Sequence, residues 1–228
     1  DLLLPTSEAE ASLLKKYLGI PPNKLMVVRN AVTIGEGHAE LPPDLATALA
    51  QKRVLLCVGS FHRVKNQLNL IRAVKGTSFR IVFIGSKGID DSDDYLEACR
   101  REGGPHWFFP HQEHAGVLEA MRRARLYVQP SLRETCGLAA LEAGALGCQV
   151  AITERGATRE YFSEFASFFD PEDGCSIRQA IESAWKASPG DSLRMHIRSM
   201  HNWQRVGDQL EMAYERALAG QQPFSPNM

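Results

Sequence analysis

Arg53-Val-Leu-Leu-Cys-Val-Gly-Ser-Phe-His-Arg-Val-Lys-Asn-Gln-Leu-Asn-Leu-Ile-Arg-Ala-Val74, followed by Lys75-Gly-Thr-Ser-Phe-Arg-Ile-Val-Phe-Ile84, reads as strand, loop, helix, strand. Val54 to Val58 is an unbroken apolar run, and so is Ile81 to Ile84. A strand with one wet face would alternate; a continuous run means both faces are covered, as in a parallel sheet layered with helices. Between them, from about Asn66 to Val74, Leu68, Ile71 and Val74 share one helical face.

The alternation continues toward the carboxyl terminus. A helix is expected from about Asp91 to Glu102, a strand at Trp107–Phe109, a crossover helix over residues 114–124 and a strand at Leu126–Val128. A small-residue helix from Gly137 to Leu146 and a strand at Gln149–Ile152 follow, then a short strand at Phe168-Phe169. Helices close the chain at Ile177–Ala187 and Ser192–Ala219, with a break near Gly207; Gln221 to Met228 reads as a disordered tail. Toward the amino terminus, Leu25–Val28 is a short strand and residues 34–45 a Gly/Pro-rich loop. A helix starts at Thr6 or Ser7, with Glu10 placed for a capping box, and stops at Gly19 before Pro21-Pro22; residues 1–5 look like a strand cut at its start. The expected fold class is α/β, a doubly wound, Rossmann-like parallel sheet over residues 25–190. Residues 1–24 precede it, and the terminal helices of 191–220 and the tail of 221–228 follow.

In such a sheet the order 3-2-1-4-5-6 makes the strands ending at Val58 and Val128 neighbours, and ligands bind beyond their carboxyl ends, where the order reverses. Two loops flank that crevice: Gly59-Ser-Phe-His-Arg-Val-Lys65 and Pro130-Ser-Leu-Arg-Glu134. The first carries Arg63 and Lys65. The second opens Glu134-Thr-Cys-Gly-Leu-Ala-Ala-Leu-Glu142, a carboxylate on each side of a helix start. Free N–H groups at that start favour an anion, and carboxylates accept from vicinal hydroxyls, so phosphate plus sugar hydroxyls suggests a nucleotide-sugar. The spacing alone decides little: in 228 residues with 27 acids, chance gives about three acidic pairs at any fixed spacing.

Composition is that of an ordinary globular chain, 44% hydrophobic and 23% charged. A net charge of −1 gives no field toward nucleic acid. No apolar run approaches the roughly 20 residues of a bilayer span, and Asp-Leu-Leu-Leu-Pro at the start is not read as a signal peptide. Five cysteines without a Cys-x-x-Cys pair fit a reducing compartment, so the chain is expected in the cytoplasm. His111 and His114 lack a convincing third ligand, so no metal site is expected. Trp185, Trp203 and Tyr214 are spaced as core residues of the terminal helices, and Arg122, Arg123 and Arg125 read as a solvated helix end.

These stretches together resemble the carboxyl-terminal half of GT-B glycosyltransferases, the large retaining class known as group 1. Thr6-Ser-Glu-Ala-Glu, Val28-Arg-Asn-Ala-Val32, Val58-Gly-Ser-Phe-His-Arg-Val-Lys-Asn66, Pro130-Ser…Glu134…Glu142-Ala-Gly-Ala-Leu-Gly, Gly156-Ala-Thr-Arg-Glu160 and Trp203 to Tyr214 occur in the family's order. The resemblance implies catalytic roles for Lys65, on the donor diphosphate, and Glu134, on hexose hydroxyls; Arg63 is expected to join them by supplying, from another position, the charge of the family's arginine that is Ser60 here. It implies donor contacts from Gly59, Ser60, Phe109, Pro110, Thr135, Cys136, Gly137, Leu138 and Glu142. In that scheme Glu142 accepts from the ribose diol, backbone around residues 136–138 binds the distal phosphate, and the loop after Phe109 meets the base. Partners would be a UDP- or GDP-linked sugar and an amino-terminal domain of which residues 1–24 are a remnant, with peripheral membrane association of the full-length enzyme left open. No cofactor or metal is implied, and these 228 residues alone are expected to bind donor without transferring it. The chain departs from the pattern at Ser60, where Arg is usual, at Pro110, where Gly is usual, and at Ala31 in the Asn-Gly-Val turn. A nucleotide-sugar epimerase of similar architecture and a non-catalytic sugar-nucleotide-binding module remain as alternatives.

Overall fold

The computed structural model describes residues 1–35, 38–88, 94–187 and 191–219. Six strands form one parallel sheet: β1 (Val54–Val58), β2 (Arg80–Ile84), β3 (Trp107–Phe109), β4 (Leu126–Gln129), β5 (Gln149–Thr153) and β6 (Ser167–Phe169). Their order is β3-β2-β1-β4-β5-β6, the doubly wound order with its reversal between β1 and β4. β1 pairs with β2 over its whole length, Val54 opposite Arg80 and Val58 opposite Ile84, and with β4 through Leu55–Leu126 and Leu56–Tyr127.

The continuous apolar runs have the expected cause. Val54 and Leu56 enter one core, shared with α2 (Pro43–Leu49), α5 (His114–Arg123), α6 (Leu138–Ala145), α7 (Thr158–Phe162) and α9 (Ser192–Met200). Leu55 and Cys57 enter the other, with α3 (Gln67–Val74), α4 (Asp94–Gly103) and α8 (Gly174–Lys186). Each face of the strand excludes water, at about 25 cal/mol per Å² of apolar surface.

Several expectations are corrected. Leu25–Val28 is no strand of the sheet: Leu25 makes one isolated parallel bridge to Leu3, and Met26 and Val28 donate to Leu3 and Pro5 carbonyls. The expected loop of residues 34–45 already contains the start of α2, with Pro43 at its first position, where proline's missing N–H costs nothing. The terminal helices break at His201-Asn202, between α9 and α10 (Trp203–Ala219), and not at Gly207, which lies inside α10. Trp203 and Tyr214 are not core residues; they are 61% and 67% exposed, and only Val206 and Ala213 of α10 are buried. Arg122 and Arg123 pair with Glu119, and Arg125 donates to the Trp185 and Ala187 carbonyls, so this cluster fastens helix ends. The start expected at Asp91 for α4 and the tail of residues 221–228 lie outside the described residues.

α1 (Glu8–Leu18) starts as its sequence indicates: the Ser7 hydroxyl accepts from the Glu10 N–H, and Gly19 closes it in the left-handed conformation. Its first N–H groups, on Glu8 and Ala9, also donate to the two oxygens of Glu160, which fastens this helix to α7. Among the described residues no helix is long and apolar enough to cross a membrane.

Candidate functional site

The crevice beyond the carboxyl ends of β1 and β4 is built from the two loops named above. After β1 the chain makes a 3-10 turn, Arg63–Lys65, which His62 caps by accepting from the Val64 N–H through Nδ1. It ends on Asn66 in the left-handed conformation, φ 59°. The buried amide of Asn66 donates to the carbonyls of Pro130, 2.9 Å, and Pro171, 2.8 Å. Leu132 N–H donates to the Val64 carbonyl. The β1 and β4 loops are therefore one unit, with the β6–α8 turn attached.

This clamp brings the expected charges together. Lys65 Nζ donates to Glu134 Oε1 at 2.8 Å, and the Ser131 hydroxyl donates to the same oxygen. Glu134 is held from behind as well: its N–H donates to Arg155 O and its carbonyl accepts from Ala157 N–H. Gly156 forms an isolated parallel bridge with it at φ 109°, where a Cβ would lie 1.8 Å from the Glu134 carbonyl oxygen. Only glycine fits there. The Glu134 side chain is 10% exposed, so the Lys65 ammonium offsets a carboxylate largely withdrawn from water.

Three residues on, Gly137 takes the left-handed conformation and α6 begins at Leu138 with no side chain capping its first N–H groups. These groups and the helix dipole form a surface for an anion. Thr135 is exposed and Cys136 buried at this turn; burial, foremost, pushes the Cys136 thiol up, and Asn30 donates to its sulfur. Glu142 stands one turn further along α6, its Oε1 3.0 Å from His114 Nε2. The buried Tyr127 donates to the Val58 carbonyl at the tip of β1. Burial, then Cys57, then the negative charge of Glu134 and, more weakly, Glu142 hold its phenol well above the usual range.

The remaining expected residues are placed less uniformly. Gly59 continues β1, donating to Ile84 O, and the exposed Ser60 accepts at its carbonyl from Gln67. Phe109 and Pro110 line a slot of about 150 Å³ with Phe61, Gly85, Leu96 and Phe108, between the strand tips and α4. The Arg63 guanidinium lies 5.9 Å from the Tyr95 ring on α4. Sequence reasoning missed the roles of Asn66, Ser131 and His114. Asn is the non-glycine residue best suited to the left-handed turn, which was a usable signal; nothing in the spacing of His114 pointed to Glu142. Among the described residues no group of three His, Cys, Asp or Glu side chains is placed to hold a metal ion.

A doubly wound parallel sheet in the order β3-β2-β1-β4-β5-β6, with Lys65 and Glu134 paired at its reversal, defines the class: the carboxyl-terminal, Rossmann-like half of a GT-B glycosyltransferase fold. The chain belongs to the group 1 glycosyl transferases, whose family model matches residues 46–199. It is 24% identical to the D-inositol 3-phosphate glycosyltransferase of Segniliparus rotundus, over 96% of this chain and 53% of that protein. The fold is that of sucrose-phosphate synthase from Thermosynechococcus elongatus, with a TM-score of 0.77 and 21% identity over 97% of this chain and 59% of that one. Anabaena HepE, solved with UDP-glucose, superposes with a TM-score of 0.81 and 15% identity over 94% of this chain and 63% of that one. The chain thus spans about half the length of the curated relative it matches.

Proposed function

We propose that these residues bind the nucleotide-diphosphate-sugar donor of a retaining hexosyl transfer to an acceptor hydroxyl. The observation that carries this reading is Lys65 Nζ at 2.8 Å from Glu134, beside the uncapped start of α6. A lysine salt-bridged to a carboxylate, next to free helix N–H groups, can exchange that partner for a diphosphate while the carboxylate accepts sugar hydroxyls. In the reading, Lys65 leaves Glu134 for the donor phosphates and the N–H groups of residues 136–138 take the distal phosphate. Glu134 receives hexose hydroxyls, Glu142 receives the ribose diol, and the slot at Phe109-Pro110 receives the base.

As the bond to the anomeric carbon breaks, negative charge grows on the leaving diphosphate. In the reading, Lys65 and the α6 dipole face it once the donor is bound, so the barrier falls without reorganisation during the step. The reading assigns this neutralisation to the chain's own groups and asks for no metal. Arg63 would join only by leaving Tyr95. UDP bound to HepE supports a uridine donor, and the acceptor contacts are assigned to sequence outside these 228 residues, so that the chain alone binds donor without transferring it.

Calorimetry of the chain with UDP, GDP and ADP tests this. At least one should give a saturable isotherm, which Lys65→Ala or Glu142→Ala weakens by about 1–3 kcal/mol each, the value of a charge-assisted hydrogen bond. No saturable heat with any of the three at millimolar concentration refutes it.

A further inference from the structure

His114 is the first residue of α5, directly after the loop that leaves β3, and its Nε2 lies 3.0 Å from Glu142 Oε1 on the neighbouring helix α6. An ionised carboxylate has no proton to give, so the imidazole Nε2–H is the donor. Among the described residues this is the one side-chain hydrogen bond made by the Glu142 carboxylate, which leaves Oε2 and the outer lone pair of Oε1 for a ligand. Glu142 is 19% exposed and His114 62%, so the histidine holds the acid from its solvent side.

We propose that His114 is a positioning residue that fixes the Glu142 carboxylate for a vicinal diol and so sets the preference of the crevice for ribonucleotides over nucleotides lacking the ribose hydroxyls. The inference rests on the donor-binding reading. A glutamate on a helix has three rotatable bonds, and a diol needs both acceptor oxygens in one plane. An unheld Glu142 must be ordered by the ligand, at a cost set against affinity. Held from α5, it is ordered before the ligand arrives, as in any site whose ligand-touching groups are locked by a hydrogen bond behind them. The effect is confined to ligand atoms that Glu142 touches, so it scales with the ribose hydroxyls and not with the diphosphate or base.

The test uses the whole chain and calorimetry with UDP, GDP and ADP, continued with the tightest of these and its 2′,3′-dideoxy counterpart. His114→Ala should weaken the ribonucleotide about three- to tenfold, the usual worth of one hydrogen bond, and leave the dideoxynucleotide within about twofold. His114→Gln, which keeps an N–H donor, should recover most of the loss. In a Glu142→Ala background His114→Ala should change nothing further. An equal loss for both nucleotides, an additive effect in the Glu142→Ala background, or no loss at all overturns the role of His114. Absence of binding by the unsubstituted chain overturns instead the donor-binding reading on which it rests.

Discussion

Replacing Asn66 with alanine removes a side chain that joins three loops. Its amide donates to Pro130 O at 2.9 Å and Pro171 O at 2.8 Å, and both prolines are buried. Each lost bond costs about 1 kcal/mol net, and more where the abandoned carbonyl stays out of reach of water. Asn66 also sits at φ 59°, and an alanine there costs about a further 1 kcal/mol, since only glycine and, to a lesser degree, asparagine tolerate that region. The structure thus predicts a loss of about 3–4 kcal/mol, seen in urea unfolding, with a thermal midpoint lower by roughly 6–15 °C for a chain of this length. Asn66→Gly separates the contributions: it relieves the backbone but not the hydrogen bonds, and should recover about 1 kcal/mol. Because the 3-10 turn bearing Lys65 ends on Asn66, either variant should also weaken nucleoside diphosphate binding by more than its stability at the assay temperature explains. A loss below 1 kcal/mol for Asn66→Ala would refute the clamp.

Two further perturbations follow from the same framework. Gly156→Ala places a methyl against the Glu134 carbonyl oxygen, 1.8 Å away, at φ 109°; an expected loss of about 3–5 kcal/mol in urea unfolding, with donor binding abolished, checks it. Acid should weaken the fold well above the carboxylate range. Burial, foremost, lowers both His106 and His201 to about 4. The folded chain keeps both rings neutral down to about pH 4, whereas the unfolded chain protonates them below about pH 6.5. Their contribution is therefore complete above pH 6.5 and disappears as pH falls toward 4, on the order of 1–2 kcal/mol from each ring after solvent screening. Urea unfolding at pH 7.5 and pH 5 that gives equal free energies would contradict it.

The strands of the sheet were legible because they are covered on both faces. An apolar run such as Val54 to Val58 fits a strand buried on both faces, and six strands with helices between them leave few topologies. What was not legible lies where chain-distant groups decide local structure. Leu25–Val28 has a strand's composition, yet its backbone pairs with residues 3–5 and never reaches the sheet. Trp203 and Tyr214 have core residues' spacing, but α10 buries only Val206 and Ala213 among the described residues, and the other two stay on its exposed side. Gly207 looked like a break because glycine weakens helices, by about 1 kcal/mol. The actual break is at His201, whose Nε2 is taken by the Tyr161 carbonyl, a tertiary contact that periodicity cannot show.

The site divides in the same way. Lys65 and Glu134 could be assigned to one crevice from the order of strands alone, since β1 and β4 must be neighbours if the sheet is doubly wound. Topology fixes which loops meet but not which side chains within them. Arg63, two residues before Lys65 on a 3-10 turn with three residues per turn, points to Tyr95 on α4, not to Glu134. That difference bears on Ser60, where an arginine is usual in the resembling family. Lys65 is the cation the structure seats against Glu134. A donor diphosphate that draws Lys65 away leaves Glu134 with the Ser131 hydroxyl, and a carboxylate 10% exposed then favours a ligand that brings its own hydroxyl donors. Sugar and diphosphate should consequently bind with positive coupling: a nucleotide-sugar more tightly than its diphosphate moiety and free sugar separately predict, and less so once Glu134 no longer carries a charge.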